Sequence, residues 1–233
     1  MIVVDVETTG VDSRLCSLLS VGALDFDNPE NQFYMECRAF DGAHVEKEAL
    51  EISGFTDAEI FSNDQAPISN DQQATVNHDT PSPASADASA GRHSPPLKRG
   101  RGKVTDKELV LAFLEWLKTC KEWTLAGQNP SFDCSFLEET AHRYHINWPL
   151  AHRTIDLHTL AYTEFMRAGK EIPRTNNHSA LNLDRILEHV GLPTRTKKHN
   201  ALEDAKLEAE AFSRLLYRKG LLREFGHLPL VGN

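Results

Sequence analysis

The chain has no CxxC pair: its four cysteines, Cys16, Cys37, Cys120 and Cys134, are scattered. That argues against a disulfide framework or a thiolate zinc cluster and suits reduced thiols in a cytoplasmic protein. It lacks an apolar run near the roughly 18 residues that a membrane span requires. It also lacks the basic segment and long apolar stretch of a secretory signal at Met1–Asp5. Positive charge is short, with Lys+Arg 25 against Asp+Glu 34 and a net charge of −9. An acidic protein is not a natural binder of phosphate backbones. If this one handles nucleic acid, divalent cations must offset its carboxylates at the point of contact.

The deficit is uneven. Residues 1–61 hold 13 acids against 3 bases, residues 62–104 hold 4 against 5, and residues 105–233 hold 17 of each. The middle stretch has almost no large apolar side chains and is rich in Ser, Pro, Asp, Asn, Gln and Ala. It cannot bury enough surface to offset its ordering entropy. It reads as a disordered low-complexity insertion over 62–104, ending in a basic cluster at Lys98–Lys103 that suits a solvated linker end, a nucleic-acid arm or a localisation signal. One domain then comprises 1–61 and 105–222, with a short C-terminal tail at 223–233.

Within that domain Ile2-Val3-Val4 reads as a buried strand ending at Asp5. Residues 17–26 and 32–37 read as further strands joined by a turn at 27–31, an antiparallel meander. A helix over 46–52 should break at Gly54. Thr105-Asp106-Lys107-Glu108 is a capping box ahead of an amphipathic helix. Residues 123–126 suit a strand, and Asn129-Pro130 suits the N-cap and first residue of a helix. A short strand at 154–157 leads into a helix, another helix covers 180–190 before Gly191, and the last runs from about 200 to 218. A meander followed by alternating helices and strands implies an α/β fold with a mixed central sheet.

Three separated segments carry candidate chemistry. In Asp5-Val6-Glu7-Thr8-Thr9-Gly10 the two acids are two residues apart, so on a strand they share a face about 6.6 Å apart. In Asn129-Pro130-Ser131-Phe132-Asp133 the acid lies in the first turn of a helix, where a dipole-stabilising carboxylate worth under about 1 kcal/mol is the plainer reading. His199 and Asp204 straddle the start of the last helix. Glu203 rivals Asp204 but is rotated about 100° from it, so one of the two faces a cleft squarely. Singly, each segment also reads as solvated acids or a capping histidine.

Together, in this order, DxETTG, NxxFD and HxAxxD resemble the DEDDh exonuclease family, also called DnaQ-like, over nearly the whole chain except 62–104. The histidine subclass is indicated, because the tyrosine subclass places Tyr four residues before the last Asp, where this chain has Asn200. The resemblance implies a ribonuclease H-like fold with a mixed five-stranded central sheet flanked by helices. It implies 3′→5′ exonuclease activity with two divalent ions, Mg²⁺ or Mn²⁺, held by Asp5, Glu7, Asp133 and Asp204, and with His199 as general base. It further implies contacts to the terminal nucleotide from Thr8, Thr9, Val11, Glu48, Ser53, Phe55, Asn129 and Phe132. Ser53, Phe55 and Gln128 depart from the usual residues at their positions. The expected partners are 3′ ends of single-stranded DNA or RNA, with DNA favoured. The alternatives are a proofreading subunit with a polymerase or repair partner, for which the short tail argues poorly, and a non-catalytic nucleic-acid-binding adaptor.

Overall fold

The computed structural model describes residues 1–61, 104–195 and 198–230. The expected insertion at 62–104 and its basic cluster lie outside the described residues, apart from Val104. A five-stranded mixed sheet of order β3-β2-β1-β4-β5 forms the centre. β1 (Ile2–Thr8), β2 (Leu18–Asp25) and β3 (Asn28–Glu36) make the antiparallel meander. β4 (Leu125–Gly127) and β5 (Ile155–Asp156) add in parallel on the other side of β1.

Two sequence expectations shift here. Asp25 pairs with Asn28, so the meander turns on Phe26 and Asp27 alone, and β3 starts earlier than residue 32. Pro29 is tolerated inside β3 because β3 is an edge strand, where a missing backbone donor leaves no ladder bond unmade. Asp5 lies mid-strand rather than at a strand end, since β1 continues to Thr8.

Alternation along β1 sorts the two faces. Ile2, Val4 and Val6 join a core with helices α3 (Asp106–Leu117) and α4 (Pro130–Arg143), whose contacts include Leu109, Phe113, Phe136 and Leu137. Val3 joins the opposite core with α5 (Leu157–Arg167), α6 (Leu183–His189) and α7 (Ala201–Tyr217). Asp5 and Glu7 follow the parity of Val3 and therefore face α7. Two short helices, α1 (Lys47–Ser53) and α2 (Asp57–Ile60), flank the meander.

Local signals account for most helix ends. Gly54 takes φ 71° and its N–H closes on Leu50 O, ending α1. Thr105 and Glu108 form the capping box of α3. Asn182 caps α6 and Asn200 caps α7 through side-chain oxygens. A hairpin that the pattern did not reveal joins β6 (Arg174–Thr175) to β7 (His178–Ser179). Asn176 and Asn177 both have positive φ, at 50° and 65°, the requirement of a two-residue turn of this hand.

The described chain on either side of the insertion emerges at one place. Ala39 N–H donates to Ile60 O (2.9 Å), and the adjacent Arg38 N–H donates to Val104 O (2.8 Å). Among the described residues, no helix is long and apolar enough to cross a membrane.

Candidate active site

The cleft opens where β1 and β4 part. β4 pairs with β1 only at Ile2 and Val3, so the later amides of β1 on that side need other partners. Asp133, in the first turn of α4, supplies one by accepting from Val6 N–H through Oδ1 (3.0 Å). Its carboxylate is thereby fixed against β1 and buried.

α7 is brought up to the other acids by a missing side chain. Gly22 pairs with Asp5 across β1 and β2, and directly opposed residues share a face. A Cβ on Gly22 would stand 2.1 Å from Leu202 N and 2.2 Å from Ala201 C. Only glycine permits the first turn of α7 to lie this close. Asn200 caps that turn by accepting from Leu202 N–H (3.1 Å) and Glu203 N–H (3.2 Å). His199 N–H donates to Ile52 O in α1 (3.0 Å), pinning the histidine between two helices. Asp204 is buried, whereas Glu203 is exposed and paired with Lys206, so Asp204 is the acid that faces the cleft.

The five residues singled out by the motifs line one cavity of 190 Å³, together with Gln128, Phe132 and Arg195 among others. One ligand atom each from Glu7, His199 and Asp204 lies within 4.8 Å of the others. The cluster holds its protons tightly. Burial, then repulsion from Glu208, Asp133, Glu7 and Asp204, raises Asp5 well above the usual carboxylate range. Burial and Asp204 push Glu7 up to about 8, against relief from Arg195. Burial lifts Asp133 to about 7, although its hydrogen bond from Val6 N–H opposes this. Asp204 reaches about 6, with burial raising it and Arg195 lowering it. His199 moves the other way: burial and the neighbouring Arg195 charge depress it. The shift favours the neutral imidazole, whose Nδ1 stands 3.6 Å from Asp204 Oδ2.

This donor set fits a hard divalent cation. Several carboxylates forced together in a buried cleft are costly alone and are relieved by a multivalent ion. Glu208 Oε2 is buried with no hydrogen-bond partner among the described residues, and burial, then repulsion from Asp133, raises this carboxyl well above its ordinary range beneath the cleft. Glu208, Arg195 and Asp184 escaped the motif reading. Glu208 had a legible signal: one turn after Asp204, it shares that residue's face on a helix otherwise apolar there. Arg195 and Asp184 had none, because their pairing is a tertiary event.

The expected nucleotide contacts divide. A neighbouring cavity of 360 Å³ is lined by Thr8, Val11, Glu48 and Phe132 among others. Phe132 lines both cavities and packs on Phe136 with ring centroids 4.9 Å apart. Thr9 is fully buried, donating to His44 O (2.6 Å) and accepting from Ser17 N–H (2.8 Å). Ser53 is turned into α1, donating to Ala49 O (2.9 Å). Phe55 packs in a small core with Leu19, Ala39, Leu50 and Ile60. These three support the cleft wall and do not line either cavity. Asn129 lines the acid-rich cavity. It stands at the start of α4, as expected, but with φ 60° and no side-chain cap; its N–H instead donates to Asp156 Oδ1 (3.1 Å).

A family model described as 3′-5′ exoribonuclease Rv2179c-like domain matches residues 1–216. Ribonuclease T of Vibrio vulnificus (strain CMCP6) is 24% identical over 204 residues, which cover 77% of this chain and 76% of that protein. The fold is similar to the nuclease domain of 3′hExo, described as a DEDDh family member bound to rAMP, with 16% identity, TM-score 0.59, and 95% of this chain and 94% of that chain covered. It is also similar to E. coli exonuclease I in complex with a dA16 oligonucleotide, with 16% identity and TM-score 0.59; there 94% of this chain spans 40% of the other. The mixed sheet with flanking helices is thus the fold of the DEDDh exonucleases.

Proposed function

The chain belongs to the Rv2179c-like 3′-5′ exoribonuclease domain family, a family of phosphodiester hydrolases, and from that premise we propose that it shortens single-stranded or frayed nucleic acid from the 3′ end with two divalent ions, Mg²⁺ or Mn²⁺. The observation that carries the reading is the convergence of Asp5, Glu7, Asp133, Asp204 and His199 on one cavity from three separate segments. The lean toward DNA drawn from the sequence gains no support: the matching family and ribonuclease T are described by RNA, and the exonuclease I neighbour holds DNA. RNA and DNA stand equal.

Asp5, Glu7, Asp133 and Asp204 would hold the ions: Glu7 and Asp204 already present ligand atoms close together, and Asp133, whose Oδ1 accepts from Val6 N–H, would offer its other oxygen. Bound divalent ions would polarise the scissile phosphate and make water a better nucleophile. Asp5 and Glu7 present their carboxylates along one strand face, so their spacing is set by the sheet rather than by flexible loops. His199, whose charged form burial disfavours, accepts the proton released by the attacking water. Thr8, Val11, Glu48 and Phe132 receive the terminal nucleotide in the adjoining cavity, and Asn129 borders the scissile phosphate.

The test is degradation of matched 5′-labelled DNA and RNA oligonucleotides with Mg²⁺ or Mn²⁺. Progressive 3′ shortening that is abolished by EDTA and by Asp5→Ala is expected. Shortening undiminished in Asp5→Ala would refute the assignment.

A further inference from the structure

Arg195 is the one arginine or lysine among the described residues lining the acid-rich cavity. Its side chain is 19% exposed and held from two sides. On one side Nε and Nη2 fork onto Asp184 at 3.1 and 3.3 Å, and the Arg195 backbone N–H also donates to Asp184 Oδ1 at 3.1 Å. On the other, Nη1 reaches Asp204 Oδ2 at 3.5 Å and His199 Nδ1 at 3.3 Å. The same Asp204 belongs to the trio whose ligand atoms gather within 4.8 Å. A protein cation therefore sits where a divalent cation would draw on the acids.

Donor chemistry adds a second constraint. A guanidinium has five N–H donors and no acceptor. Facing it, His199 Nδ1 must accept, and the proton of the neutral ring lies on Nε2. One ring nitrogen is then engaged by Arg195 and the other already carries hydrogen. In this arrangement His199 has no free lone pair with which to take a proton from water.

We propose that Arg195, tethered by Asp184, is a built-in counter-ion that stands in for the divalent cation in the metal-free protein and holds His199 in a non-accepting tautomer, so that metal loading and withdrawal of Arg195 Nη1 from Asp204 and His199 are a single event. The proposal rests on the reading of Glu7 and Asp204 as metal ligands. It explains why a tethered arginine approaches an acid cluster that a metal is expected to neutralise, and it makes the resting site inert without altering any residue of the acid cluster.

The experiment is Mn²⁺ titration of the full chain by calorimetry and by electron paramagnetic resonance of free Mn²⁺, for wild type, Arg195→Gln and Asp184→Asn. Thermal melting in EDTA and ¹⁵N shifts of labelled histidine are recorded alongside. Removing the competing cation is expected to tighten Mn²⁺ binding about tenfold in Arg195→Gln, equivalent to ~1.4 kcal/mol. The EDTA melting temperature should fall, and the Nε2–H preference of His199 should be lost. Asp184→Asn, which retains Arg195 and the whole acid cluster, should shift affinity in the same direction by less, and it answers the question if Arg195→Gln folds poorly. Wild-type Mn²⁺ binding with unchanged or weaker binding in the folded variants overturns the counter-ion proposal alone. No Mn²⁺ binding by the wild type overturns the metal-site reading and the proposal with it.

Discussion

Replacing Gly22 by alanine should damage the active site through one methyl group. The Gly22 Cβ would meet Leu202 N at 2.1 Å, against 3.4 Å for the near limit of ordinary contact, so the first turn of α7 must retreat by about 1.3 Å. The obstructing atoms are backbone, and no rotamer change relieves them. Overpacking of this kind costs about 1–3 kcal/mol, and the upper end is expected here. At about 2–4 °C per kcal/mol for a chain of this size, the melting temperature should drop by roughly 6–12 °C. The larger effect is on function. α7 carries Asp204, and its cap follows His199, while Asp5 and Glu7 stay with the sheet. A misplacement near 1 Å costs about 10²-fold in rate. The assay is single-turnover oligonucleotide degradation at saturating Mn²⁺, paired with calorimetric melting. Gly42→Ala is the control. Its φ of 86° strains an alanine by about 1–2 kcal/mol, but nothing lies within 4 Å of the added Cβ, so activity should persist. A Gly22→Ala protein that melts and cleaves like wild type would refute the close-approach argument.

Three other outcomes follow from the same structure. Asp5→Asn replaces a carboxyl that burial and its acid neighbours hold protonated in the metal-free fold with a group that is neutral both folded and unfolded, so the metal-free protein at neutral pH should gain about 1 kcal/mol while degradation falls below detection; a loss of melting temperature in EDTA would contradict the electrostatic reading. Glu7, Asp133 and Asp204 titrate near 8, 7 and 6, above their ordinary values. Their native forms bind protons more tightly than the unfolded chain, so this stabilisation is complete below about pH 4 and is lost as pH rises through 6 to 8. Melting in EDTA should therefore fall between pH 5 and 8.5 and Mn²⁺ should restore it; a flat or rising EDTA profile would be fatal to the account. Replacing 62–103 by a four-residue Gly-Ser link should leave the melting temperature unchanged or higher, because Ile60 and Val104 are bonded to successive residues of the chain; a drop of many degrees would show that the segment contributes to the core.

Short-range chemistry was legible without a structure. Alternation placed Asp5 and Glu7 on one strand face, the Thr105 and Glu108 pair marked the start of α3, and Gly54 and Asn200 marked helix ends. The five motif residues needed only their order and spacing to be grouped. The nucleotide contacts were less legible: Thr9, Ser53 and Phe55 turn inward because their hydrogen bonds and core partners come from other elements. The side-chain cap expected of Asn129 is absent: its backbone takes φ 60°, and its Oδ1 accepts from the Ser131 hydroxyl (2.9 Å) instead of a backbone N–H of α4.

What the amino-acid sequence determined by itself is the inventory of acids, the faces on which they stand and the segments that start and stop each helix, because these follow from periods of two and 3.6 residues and from local capping. Only the tertiary structure decided that the acids share one cleft, that Gly22 leaves room for α7, that Glu208 lies buried beneath them with Oε2 unpartnered among the described residues, and that Arg195 reaches both Asp204 and His199. Those facts depend on sheet register and helix approach. Electrostatic coupling in a buried site is set by distances of a few ångströms between residues far apart in the chain, which no local pattern encodes.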